Sequence, residues 1–183
     1  MHSSIEFVYK LLNSDKYKSI CVCSESIYAL LSYVLQRFNS HLIISDVPLF
    51  FQLDHIHKNT YLLEVSLEQP LNLVNLFKII ETINVLSYYS ASTYTILNRK
   101  FYPTISYRLS KVLSFKLFVD RLEFLMQIAS TFNLQRFFLF YRSNGIFRNE
   151  HNNPRSIYTF FNKVFDVVIL VSKRSISISE SLK

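Results

Sequence analysis

The sequence predicts an α+β fold, with a mixed or antiparallel sheet, helices packed on one face, and a helical N-terminal segment in front of it. Three observations predict it. Strand-like and helix-like patterns alternate roughly as β-α-β, β-α-β, β from residue 60 onward. The first 54 residues read mainly as helix. The chain has 183 residues, half of them hydrophobic, which is enough to bury a core as one domain. The expected organisation is a single domain over 1–183, with 1–54 as a helical N-terminal extension and 55–183 as the core.

The elements follow in order. Residues 3–13 have a helical pattern, and Ile27–Phe38 sets Ile27, Leu30, Leu31, Val34, Leu35 and Phe38 on one stripe, with Ser24 or Ser26 available as its cap. Residues 41–51 form a mixed apolar segment broken at Pro48. Thr60–Leu67 alternates Tyr61, Leu63, Val65 and Leu67 with Leu62, Glu64 and Ser66, the pattern of a half-buried strand. Pro70 then opens a helix from Leu71 to Tyr88, with Leu73, Leu76, Phe77, Ile80, Ile83 and Leu86 as its apolar face. A short strand at Thr93–Leu97 and a longer one at Thr104–Ser114 precede a helix over Lys116–Ser130. Gln135–Arg142 and Ser156–Phe161 read as strands around a polar turn that holds the sole glycine, Gly145. Val164–Ser172, rich in β-branched residues, is the clearest central strand, and no internal repeat is present.

Composition narrows the function classes. Charged residues make up 18% of the chain against roughly 25% in soluble domains, so disorder is not expected. The longest uncharged stretch, Thr82–Asn98, is full of Ser, Thr, Tyr and Asn, and Lys78, Asp120, Arg121 and Asp166 interrupt the other apolar runs. No transmembrane span is expected. Seventeen Phe and twelve Tyr beside one Gly and no Trp suggest A+T-rich codons, as in an organelle genome. The N-terminus has an acid at Glu6 and no Arg in its first ten residues, unlike a transit peptide; synthesis inside the organelle and a presequence already removed account for that equally well. Two cysteines, Cys21 and Cys23, are too few and too close for a disulfide framework.

The net charge of +7 is unevenly spread. Residues 1–90 carry six Lys and Arg against eight Asp and Glu, a net −2, whereas residues 91–183 carry fourteen against five, a net +9. Such asymmetry suits a polyanion, because Lys and Arg that neutralise phosphates release condensed counterions. Arginine, with its planar fork and stacking face, suits RNA in particular. The acidic N-terminal half is expected to make mainly protein contacts.

Cys21, Cys23, His55 and His57 together offer two thiolates and two imidazoles, but their spacing is not that of a standard zinc finger, so no metal site is expected. Asp54 and His55 form an acid-histidine pair without a partnered nucleophile, and no glycine-rich nucleotide loop is visible, so neither catalysis nor a cofactor is expected. The basic and aromatic run from Arg99 to Arg108, with Phe101, Tyr102 and Tyr107, suits phosphate contacts beside stacking rings, and equally suits rings that pack in the core. The full set of expected RNA contacts is Arg99, Lys100, Arg108, Arg136, Arg142, Arg148, Arg155, Lys173 and Arg174, most of them in or beside turn-like segments.

Several strings resemble the universal large-subunit ribosomal protein five family, the central-protuberance proteins that bind 5S rRNA in bacteria. Asn59–Glu68 resembles that family's first strand, Leu71–Tyr88 its following helix, and Ala91–Phe101 its short strand and basic loop. Thr104–Val112 resembles a further strand, and Phe115–Leu125 its aromatic-rich helix. Val164–Arg174 and Ser175–Leu182 resemble its last strand and short C-terminal helix. Of the family's glycine-rich RNA-contacting segments, only Asn144-Gly145 is present between residues 131 and 155. The resemblance implies a structural, non-catalytic constituent of the mitochondrial large ribosomal subunit, partnered by rRNA and neighbouring ribosomal proteins. Another mitochondrial ribosomal protein and a non-catalytic accessory subunit of a respiratory-chain complex are the alternatives.

Overall fold

A computed structural model describes residues 2–49, 59–91, 104–142, 157–172 and 175–181. Within them the chain runs α1 (His2–Asn13), β1 (Ser19–Ser24), α2 (Tyr28–Arg37), β2 (His41–Ser45), β3 (Thr60–Glu64), α3 (Leu73–Ile80), β4 (Val85–Ala91), α4 (Thr104–Thr131), β5 (Arg136–Arg142), α5 (Ile157–Val164), β6 (Val167–Val171) and β7 (Ile176–Glu180). The seven strands form one sheet in the order β3-β2-β4-β5-β1-β6-β7. All pairings are parallel except β6 with β7, which is antiparallel, so the sheet is mixed and the α+β class with its N-terminal helix holds.

The helices cover both faces, which corrects the expectation of one. Strands buried on two sides read as nearly continuous apolar runs, and β2, β4 and most of β5 are buried residue by residue. Successive side chains separate into two cores. Ile20, Val22, Phe138, Phe140, Val167 and Ile169 pack with α1 and α2 on one face. Cys21, Cys23, Leu139, Tyr141, Val168 and Leu170 pack with α3, α4 and α5 on the other. Right-handed crossovers explain the division. The step from β1 to β2 moves one way across the sheet and carries α2, whereas the steps from β3 to β4, β5 and β6 move the other way and carry α3, α4 and α5.

Residues 1–54 are not a helical extension. β1 lies between β5 and β6, and β2 lies between β3 and β4, so this segment supplies two interior strands. The helix expected over Leu71–Tyr88 is two elements. α3 ends at Ile80, and Asn84, accepting from Gln135 N at 2.8 Å and donating to Ser40 O at 2.9 Å, already aligns the start of β4 with its neighbours. An apolar run buried on both sides carries no period that separates strand from helix.

Thr104–Ser114 is helix, not strand. Its β-branched residues favour extended backbone, but no Gly or Pro separates it from the helical pattern that follows, and a helix once nucleated propagates. Ser156–Phe161 is likewise reassigned to α5, where Tyr158, Phe161 and the following Phe165 recur at helical spacing and are buried. Ser175–Leu182, matched above to a C-terminal helix, contains β7. The cap expected at Ser24 or Ser26 is not made: Ile27 caps α2 without a side-chain bond, and Ser24 Oγ accepts from Ser26 N at 3.2 Å. The strand expected at Thr93–Leu97 lies outside the described residues.

Candidate nucleic-acid interface at the carboxyl edge of the sheet

In doubly wound sheets the functional crevice lies outside the carboxyl ends of the strands, where neighbouring connections depart to opposite faces. Here that position is beside β1, whose connection runs over one face while those of β4 and β5 run over the other. Register places the strand ends together. Ser24 is opposite both Arg142 and Val171, Ala91 is opposite Arg142, and Ser45 is opposite Tyr89 and Glu64.

The β1–α2 turn has Glu25 and Ser26 where a phosphate cradle needs glycines, converging backbone amides and a lysine. Its carboxylate opposes a phosphate. The corner is instead filled from within. Asp46, just past β2 and 8% exposed, accepts from Ser90 Oγ at 2.6 Å and from Tyr88 OH at 3.0 Å through Oδ2, while its amide donates to Tyr89 O at 3.2 Å. Burial pushes its carboxyl pKa up to about 6, against the pull of Ser90, Tyr88 and the Arg121 charge. Burial, with Asp46 close by, also holds the Tyr88 phenol well above its ordinary value.

Arg121, buried in α4, donates to the carbonyls of Val65 at 2.5 Å, Ser66 at 2.8 Å and Gln69 at 2.7 Å, and so fixes the turn after β3. On the other face, Tyr28 of α2 stacks on Tyr89 with centroids 6.1 Å apart. Burial raises the Tyr89 phenol, with Tyr28 adding to that and the Arg142 charge opposing it.

The expected RNA contacts divide. Arg142 is exposed at the carboxyl end of β5. Arg108 lies in the second turn of α4, and only its backbone is described. Arg99, Lys100, Arg148, Arg155, Lys173 and Arg174 lie outside the described residues. The stretches that hold them follow directly on Ala91, Arg142 and Ser172 at this edge. Together with Arg142, those stretches carry seven Lys and Arg and one acid, Glu150.

Arg136 is a correction. It opens β5 at the opposite edge and is 2% exposed, pairs with Asp15 at 2.7 Å, and donates to the Tyr17 carbonyl. Burial lowers its pKa and Asp15 raises it, so it anchors the chain between α1 and β1 and is not a phosphate contact. At the same edge His41 is buried with Nε2 2.6 Å from Ser87 Oγ, and burial alone lowers its pKa to about 3, which keeps it neutral.

Cys21 and Cys23 are buried with sulfurs 3.6 Å apart, and burial raises the Cys21 thiol well above its usual range, the opposite of a thiolate ligand. His55, His57 and Asp54 lie outside the described residues. Among the described residues, no three His, Cys, Asp or Glu are grouped to hold a metal ion, and no helix is long and apolar enough to cross a membrane. Sequence reasoning passed over Asp46, although an acid closing the run His41–Ser45 was a visible signal, since charge at the end of a buried strand needs internal partners.

No protein-family model matches the chain, and no curated protein matches it. Among solved structures it is similar to that of PH0250 from Pyrococcus horikoshii OT3, with 13% identity, 97% of this chain and 92% of that chain covered, and a TM-score of 0.44.

Proposed function

We propose that the chain is a non-catalytic nucleic-acid-binding subunit of a larger ribonucleoprotein assembly. The observation that carries this reading is basic sequence following strand ends at one edge: the stretches directly after β4, β5 and β6 hold six Lys and Arg, and Arg142, which closes β5, makes seven. Phosphate neutralisation at such an edge supplies affinity that is independent of base sequence, and Tyr89, which stacks on Tyr28 and feels the Arg142 charge, sets aromatic rings near that charge.

The assembly we propose is the mitochondrial large ribosomal subunit, with rRNA as the polyanion and ribosomal proteins as neighbours. That part rests on the sequence resemblance, three of whose matched segments, Leu71–Tyr88, Thr104–Val112 and Ser175–Leu182, have other secondary structure here. Sedimentation of the tagged chain from a mitochondrial lysate tests it. Migration with a large particle that collapses on RNase treatment is expected. Migration with a membrane complex, insensitive to RNase, overturns it.

A further inference from the structure

The sheet ends at β3 among the described residues, and this end is built unlike its surface elsewhere. Among the described residues, five of the six exposed large hydrophobic residues lie on β3, on α3 and just past α4: Tyr61, Leu73, Val74, Phe77 and Phe132. Phe77 and Phe132 touch, with ring centroids 5.8 Å apart, and Leu73 and Val74 stand one turn before Phe77 on α3. Tyr61 and Leu63 are opposite Leu42 and Ile44 in register, which puts them on the face that α3 covers. The apolar surface therefore runs from the edge strand onto its helix.

Among the described residues, no strand pairs with the outer side of β3. Asn59 O accepts from His41 N and Val65 N donates to Ser45 O, so the odd-numbered residues of this strand face β2. Alternation directs the N–H and C=O of Thr60, Leu62 and Glu64 to that outer side. Proteins commonly protect such an edge with lysine, proline or a bulge, and Thr-Tyr-Leu-Leu-Glu has none. Two exposed acids, Glu68 and Glu81, border the patch, with Lys78 the one basic residue among residues 59–81, while Glu64 sits on the other face and accepts from Leu49 N at 3.2 Å.

From this we infer that the β3 edge and the outer face of α3 receive an extended segment of a partner protein, which adds a strand beside β3 and lays alternate apolar side chains on Tyr61, Val74 and Phe77 between basic flanks. Backbone groups that no strand among the described residues pairs with select a strand over a helix or a lipid surface. The acidic border selects a basic partner and disfavours both nucleic acid and a second copy, whose own acids it would face.

Hydrogen exchange at single-residue resolution tests this, comparing the full chain alone with the chain in its native assembly, recovered by a tag and treated with nuclease. Exchange at Leu62 and Glu64 is expected to slow at least about tenfold in the assembly, while Tyr61 and Leu63, bonded to β2, stay equally protected in both. Val74→Glu, at a 65% exposed position, should remove the added protection with unchanged melting, and Glu68→Lys with Glu81→Lys should weaken recovery of the assembly about tenfold. Unchanged rates at Leu62 and Glu64 overturn the inference, as does slowing over α3 without alternation along β3. The same slowing in the purified chain as its concentration rises assigns the edge to a second copy instead and equally overturns it. Because nuclease precedes the measurement, failure of the nucleic-acid reading leaves this result unaffected.

Discussion

Ser90 and Asp46 join the ends of two neighbouring parallel strands by a side-chain hydrogen bond of 2.6 Å, inside a corner that water barely reaches. Asp46 is charged at neutral pH only against the cost of that burial, and three consequences for stability come from this and two other buried charges.

The folded pKa of Asp46, about 6, lies above its ordinary 3.8, so the folded state binds this proton more tightly than the unfolded chain. Its contribution is complete below about pH 4 and is lost as pH rises through about 6. Asp46→Asn removes that dependence. The difference in unfolding free energy between wild type and variant should shift in the variant's favour by roughly 2–3 kcal/mol between pH 4 and pH 7, measured by urea denaturation at each pH. A flat difference across that range removes the assignment.

Arg121→Ala leaves the carbonyls of Val65, Ser66 and Gln69 without their donor in a partly buried turn. A loss of roughly 3 kcal/mol is expected. Arg121→Lys should recover only part of it, because one ammonium cannot spread over three acceptors as a guanidinium does. Denaturation midpoints at constant slope measure both.

Arg136 and the edge arginines should behave oppositely. Arg136→Ala is expected to cost roughly 2 kcal/mol, because the buried Tyr17 carbonyl loses its donor, and to leave nucleic-acid affinity and its salt dependence unchanged. A changed salt slope at normal folding would return Arg136 to the interface.

Alanine at Arg99, Lys100, Arg142, Arg148 and Arg155 should shift melting little, since surface changes move stability by only about 0.5 kcal/mol. The slope of log affinity against log salt for a single-stranded RNA should fall by roughly one unit for each phosphate contact removed. Unaltered slope with normal melting would sink the assignment.

The sequence showed α1, α2, β3, β5 and β6 within a few residues, because each has a one-sided apolar stripe, an apolar alternation, or a short run of β-branched or aromatic residues. It misread Val85–Ala91 and Thr104–Ser114, where the apolar pattern is continuous or its propensity opposes its neighbours, and only tertiary burial decides. Sheet order was illegible, since nothing local to Ser19–Ser24 says that its partners are Phe137–Arg142 and Val167–Val171. The basic half was legible as charge. Arg136 was not separable from Arg142 by sequence, although seven-residue β5 puts one at each edge of the sheet.

The placement of β1 between β5 and β6 also sets a timetable. Ser19 must wait for Phe137, and Ile20 for Val167, before the middle of the sheet exists. During synthesis the first strand therefore emerges long before either neighbour, with Ile20 to Cys23 uncovered on both sides. Such non-local pairing makes for slow closure, and an exposed central strand is open to wrong partners in the interval. A nascent chain stalled before residue 136 has no native partner for β1 at all, so the step that completes this molecule belongs to its last quarter, and association with chaperones should be heaviest just before that quarter appears.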